Sequence, residues 1–123
     1  MSTKLFSTYC RDHALVVAPT EPIGSLYATD VRKEAEGLMA EVNAQGIKKV
    51  VFDMGRADYF GSQVIELMIL VWRKLSAVQG TLALCRMSPA AREMMHIVNL
   101  DTIWRICNTL DEALAEPAES AEN

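Results

Sequence analysis

Two short runs of consecutive apolar residues, Val50–Val51–Phe52 and Leu82–Ala83–Leu84–Cys85, constrain the fold of this chain more than any other feature. A half-exposed strand alternates polar and apolar residues. An uninterrupted run instead suits a strand covered on both faces, as in a parallel sheet flanked by helices. The segment between the runs supports that reading. Val64, Leu67, Met68, Val71, Leu75 and Val78 recur at the spacing of one helix face, which predicts a helix from Ser62 to about Val78, stopped by Gly80. Strand, helix, strand is the repeating unit of an α/β domain.

The flanking sequence extends the pattern. Phe6–Cys10 and Ala14–Ala18 read as a hairpin turning at Arg11–Asp12–His13, and Pro19, Pro22 and Gly24 then interrupt regular structure. Tyr27, Val31, Ala35, Leu38 and Val42 mark a helix from about Leu26 to Ala44, with Gly46 as its stop. Ser88–Pro89 opens a helix that runs to Val98, since Ser caps free amides and Pro fits the first helical position. Asn99 suits the left-handed conformation that follows it. Ile103–Cys107 reads as a last strand, and Thr109 and Glu112 have the spacing of a capping box on a closing helix. The expectation is one α/β domain over residues 1–116. It holds a mixed sheet of about five strands, mostly parallel with an antiparallel N-terminal hairpin, and about four helices. The Pro/Ala/Ser/Glu-rich residues 117–123 read as a solvated tail.

Composition narrows the function. The net charge of −4 argues against a general binder of nucleic-acid backbones, which needs a clustered excess of Lys and Arg. No secretory signal is visible after Met1. The longest apolar stretch, Val64 to Trp72, is broken by Glu66 and is too short for a bilayer, so a cytoplasmic protein with no membrane contact is expected. Cys10, Cys85 and Cys107 are an odd number without CxxC spacing, and read as buried, reduced thiols.

The usual signatures of an enzyme are missing. No GxGxxG or GxxxxGK[ST] loop is present to cradle phosphate, and no cofactor is expected. His13 and His96 belong to different elements and form no HxxxH or Cys/His cluster, so no metal site is expected and each reads as a structural histidine. Asp53 closes the first apolar strand and Asp58 lies just beyond it. Strand ends of this kind line ligand crevices in α/β sheets, but an Asp there also holds the following turn through its own side chain, and the second role is the commoner.

The stretch Val50–Val51–Phe52–Asp53–Met54, a loop, and then Ser62 opening an apolar helix resembles the centre of the STAS domain family, which includes the bacterial anti-sigma factor antagonists. The resemblance continues through Gly80–Thr81–Leu82–Ala83–Leu84, Ser88–Pro89, Leu100–Asp101 and Leu110–Asp111–Glu112–Ala113–Leu114. It implies a small non-catalytic domain with helices on one side of a mixed sheet. It also implies a protein partner, an anti-sigma factor that is a switch serine kinase. The family pattern at the helix start is Asp-Ser-Ser/Thr-Gly-Leu-Gly, which places Ser62 on the phosphorylated position. The chain departs from that pattern around it: Gly61 stands for the Asp, Gln63 for the second hydroxyl residue, and Val64 and Glu66 for the glycines.

From the residues alone, Ser62 reads as the helix N-cap, and a phosphate there would meet the positive end of the helix. The candidate partner-binding set is Asp58, Tyr59, Phe60, Gly61, Ser62, Gln63, Ile65, Glu66 and Ile69. Ile65, Ile69 and Trp72 form a second apolar stripe beside the core-facing one. It either packs on a neighbouring helix or serves as a contact patch for a partner or a twin subunit. Two other readings stay open: a self-associating scaffold without a switch, and a small-ligand sensor using the strand ends near Asp53 and Asp58.

Overall fold

The computed structural model describes residues 6–20, 28–56 and 60–115, with the side chains of 28 and 29 excepted. Strands β1 (Phe6–Arg11) and β2 (Ala14–Pro19) form the expected hairpin. Its two linking residues, Asp12 and His13, both have left-handed φ angles of 53° and 65°, the geometry that matches strand twist in a two-residue turn. Helix α1 (Ala28–Gln45), β3 (Lys49–Asp53), α2 (Ser62–Ala77), β4 (Thr81–Cys85), α3 (Pro89–Ile97), β5 (Arg105–Cys107) and α4 (Leu110–Leu114) follow in order. The sheet runs β1-β2-β3-β4-β5, antiparallel only at β1–β2 and parallel elsewhere. The two apolar runs are thus inner strands, as their composition requires.

Alternation along the strands sorts the core into two layers. Leu15, Val17, Val50, Phe52, Leu82 and Leu84 face a large cluster with Val31, Leu38 and Val42 of α1, Val64, Leu67, Met68, Val71 and Leu75 of α2, and Ala91 and Met95 of α3. Each fully buried side chain of Val, Leu, Phe or Met size contributes about 1.5–3 kcal/mol. Val16, Val51, Ala83, Cys85 and Cys107 point the other way, onto Ala113 and Leu114 of α4. The implied placement of all helices on one side is therefore corrected. The opposite face of β3–β5 is apolar as well, and the five residues of α4 cover it.

Local chemistry sets the ends of the elements. Gly46, at φ 66°, ends α1 while the Ile47 amide donates to the Val42 carbonyl at 3.0 Å. At the end of α2 the left-handed residue is Gln79, at φ 63°, and not Gly80. Gly80 is needed for space instead: its amide donates to the Leu75 carbonyl at 2.6 Å, and a Cβ there would lie 2.7 Å from the Lys48 carbonyl oxygen. Ser88 accepts from the Ala91 amide at 3.1 Å with Pro89 behind it, and the capping box of Thr109 and Glu112 is complete. Asn99 takes the left-handed conformation, but a 3-10 turn (Leu100–Thr102) follows it. The last strand consequently begins at Arg105 rather than Ile103, with Ile103 exposed and Trp104 buried. Cys85 and Cys107 are buried as expected, whereas Cys10 is exposed on the edge strand β1. The expected helix start at Leu26 and the tail 117–123 lie outside the described residues.

Candidate protein-binding surface at the start of α2

The surface is built where β3 ends and α2 begins. Asp53, the last residue of β3, is buried, the one charged residue so placed among the described residues. A carboxylate is tolerated there because hydrogen-bond donors meet both of its oxygens. Asp53 Oδ1 accepts from the Gly55 amide at 3.1 Å and from Arg86 Nε at 2.9 Å, while Oδ2 accepts from Arg86 Nη2 at 2.8 Å. This bidentate arrangement is the stronger form of a charged hydrogen bond. The hydrogen bond to Asp53, reinforced by its charge, pushes the Arg86 guanidinium further above its ordinary pKa. Next to it, burial and then the charge of Asp53 push the Cys85 thiol up to about 12, so Cys85 is a poor nucleophile. Asp53 therefore holds the turn through its side chain, and it is engaged rather than open to a ligand.

Sequence reasoning missed Arg86. It follows an apolar strand at a position that resembles a loop residue, and nothing in its neighbours points 33 positions back to Asp53. The one local signal is conformational: Arg86 has a left-handed φ of 58°, which non-glycine residues seldom adopt.

Beyond the turn, Phe60 is completely buried and belongs to the large cluster. Its ring anchors the chain entering α2 and is not offered to a partner, which corrects the expectation for this residue. Asp58 and Tyr59 lie outside the described residues. The cap is also corrected. Gly61 is the N-cap of α2, with φ −91° and ψ −177°, and Ser62 is the first helical residue. The Gly61 carbonyl accepts from the Val64 amide at 3.1 Å, so the first turn closes on the backbone. Ser62 is exposed, and its hydroxyl makes no hydrogen bond among the described residues.

The rest of the candidate set lies on α2. Gln63 is half-buried and Glu66 is exposed one turn after Ser62. Val64, which stands where the family pattern has a glycine, is buried in the core. Ile65, Ile69 and Trp72 are half-buried and pack against the large cluster, and Trp72 meets Trp104 edge-on at 6.2 Å. The second stripe is thus largely absorbed by packing, and only its outer edge reaches solvent. A groove of about 360 Å³ lies between α1 and the last turn of α2, lined by Glu36, Met39, Ala40, Asn43, Lys74 and Val78. It begins twelve residues along α2 from Ser62, roughly 18 Å at 1.5 Å per residue, so it belongs to a different end of the molecule.

No group of His, Cys, Asp or Glu among the described residues is arranged to hold a metal. His96 is exposed and pairs with Asp101 at 2.8 Å, tying α3 to the turn after it, and no serine shares a hydrogen bond with it among the described residues. No described helix is long and apolar enough to cross a membrane.

Residues 6–113 match the STAS domain family. The chain belongs to that family. A Bordetella bronchiseptica protein named as an anti-sigma factor antagonist, BtrV, is 39% identical over 84 residues, covering 66% of this chain and 72% of that protein. The structure of a STAS domain protein from Planctomyces limnophilus is 28% identical, with a TM-score of 0.73 over 89% of this STAS chain and 94% of the other. The Bacillus cell fate determinant SpoIIAA in its phosphorylated form, 21% identical, shares the fold with a TM-score of 0.65 over 89% of this chain and 96% of that one.

Proposed function

We propose that this STAS domain is an anti-sigma factor antagonist: a non-catalytic module that binds an anti-sigma factor of the serine-kinase kind through the start of α2, with Ser62 as the residue that kinase phosphorylates. The observation that carries this reading is the position of Ser62. It is exposed, it is the first residue of a 16-residue helix, and its hydroxyl is not spent on capping. The likeness to BtrV, whose name states that role, supports it.

The physical consequence of phosphate at Ser62 follows from the helix. A phosphoserine brings about −1.5 to −2 charges. The amides of a first helical turn and the positive end of the dipole favour such a charge, so the fold tolerates it. A partner docked over Gly61, Ser62, Gln63, Ile65, Glu66 and Ile69 would instead meet a new, strongly hydrated anion inside the contact. Asp58 and Tyr59, which precede the helix in sequence, complete the proposed contact, and the buried Phe60 ties the start of α2 to the core. Modification thus releases the partner without unfolding the domain.

Glu66 favours one competing reading. Exposed one turn beyond Ser62, it opposes a phosphate there, which suits a STAS scaffold that associates without a switch. The test uses a purified serine-kinase-type anti-sigma factor from the same organism. Incubation with ATP should place phosphate on Ser62, located by mass spectrometry. Ser62→Asp should bind the kinase at least tenfold more weakly than wild type while melting at the same temperature or higher. Phosphate at another residue, or equal binding by Ser62→Asp, would defeat the switch and leave the scaffold.

A further inference from the structure

We infer that Arg86 is a positioning residue for the partner-binding surface: clamped on Asp53, its guanidinium lies across Gly55 and fixes the turn with which the chain leaves β3. The inference rests on the functional reading above for its consequence in binding, but its geometry stands independently.

Three observations converge on the clamp. Asp53 accepts from both Arg86 and the Gly55 amide, so one buried carboxylate joins the end of β4 to the first turn of the loop that leads to α2. A Cβ on Gly55 would lie 3.0 Å from Arg86 Cζ and 3.0 Å from Nε, so the guanidinium packs directly against this turn and a side chain at position 55 would force it to shift by a few tenths of an ångström. Arg86 itself holds a left-handed backbone, at φ 58°, where glycine would be the easier choice. A strained non-glycine residue at the end of a strand is explained if its side chain has a task. The same backbone is tied down on its other side, where the Arg86 amide donates to the Cys107 carbonyl at 3.3 Å. The clamp is therefore mounted on β4 and β5 and acts on the exit of β3. The Arg86 side chain is still about half exposed, at 53%, so it borders the surface as well as supporting it.

A purely structural ion pair and a positioning clamp predict different behaviour of the double variant. Removing either partner alone leaves a charge without its counterpart, which destabilises in both cases. Replacing both removes the uncompensated charge, so melting temperature should recover in both cases. If the pair only balances charge, partner binding recovers with it. If Arg86 positions the loop, binding stays impaired because the turn has lost its clamp.

The experiment compares Arg86→Met, Asp53→Asn/Arg86→Met, Gly55→Ala and Arg86→Lys in the full chain. Amide exchange at Gly55 and Arg56 is followed by NMR, and affinity is measured for the same purified serine-kinase-type anti-sigma factor. Arg86→Met should raise exchange at Gly55 at least tenfold while the β3 and β4 amides of Val51 and Leu84 keep wild-type rates. It should also weaken kinase binding at least tenfold. The double variant should regain the melting temperature but not the affinity. Gly55→Ala, which keeps both charges, should reproduce the loss of affinity, and Arg86→Lys should restore part of it. Wild-type exchange at Gly55 in Arg86→Met, or affinity that returns together with melting temperature in the double variant, would overturn the inference. A wild-type chain that does not bind the kinase would remove the functional reading alone, and the exchange rates would still decide the clamp.

Discussion

Among the described residues two serines stand at helix starts, and only one of them caps. Ser88 accepts from the Ala91 amide at 3.1 Å in the extended backbone of a true N-cap. Ser62 is already helical, and Gly61 carries the cap. Replacing an N-cap serine with alanine costs about 0.5–2 kcal/mol, typically about 1. Alanine within a helix has no such cost, so Ser62→Ala should change stability by less than about 0.5 kcal/mol. With unfolding entropy of about 2.1 cal/mol/K per residue, a domain of this length loses about 4 °C of Tm per kcal/mol. Ser88→Ala should therefore melt about 2–8 °C below wild type and Ser62→Ala within about 2 °C of it. Ser62→Asp adds a negative charge in the first turn, which should stabilise by about 0.3–1 kcal/mol at low salt and less at high salt. Calorimetry of the three variants at low and high ionic strength decides the matter. A Ser62→Ala chain as unstable as Ser88→Ala would show that Ser62 caps after all, and would remove the argument that its hydroxyl is free for modification.

The remaining predictions concern glycines and thiols. Gly37 sits inside α1, and a Cβ added there would meet nothing within 4 Å, so Gly37→Ala should stabilise by about 0.5–1 kcal/mol in urea unfolding. Gly80→Ala should do the opposite and cost about 1–3 kcal/mol, because its Cβ would press on the Lys48 and Leu75 carbonyl oxygens at 2.7 and 3.2 Å. Of the three cysteines, Cys10 alone is exposed, so a thiol reagent at about pH 8 should titrate one thiol in the native chain and all three in denaturant. Burial raises the Cys85 pKa from 9.0 to about 12, so the folded chain keeps a proton that the unfolded chain releases first. The thiol's pH-linked contribution to stability is therefore constant below about pH 9 and falls as pH rises toward 12. Urea midpoints should fall across that window, and less steeply in Cys85→Ala.

The order of elements, the inner position of β3 and β4, the helix face of α2, and the caps at Ser88 and Thr109 were all legible in the sequence, because each is a local property. Hydrophobic period, turn chemistry and capping preference act over a few residues, and a single segment displays them. The stretch proposed as the partner surface was singled out in the sequence by its resemblance to the family pattern around Ser62. What the segment could not display was which side chains the fold would use up. Phe60 looks like an exposed aromatic in a loop, yet it is wholly buried in the large cluster beneath the start of α2. The cap moved from Ser62 to Gly61 through a one-residue difference in where the helix begins, which capping preference alone does not settle. The placement of α4 on the second face depends on Val51, Ala83, Cys85 and Cys107 being brought side by side by strand pairing. Arg86 and Asp53 meet only because β3 and β4 are parallel neighbours in register, with Asp53 opposite Cys85, so that residues 33 apart end at the same edge. Periodicity fixes which face of an element is buried, but contacts between distant residues exist only after the elements have packed.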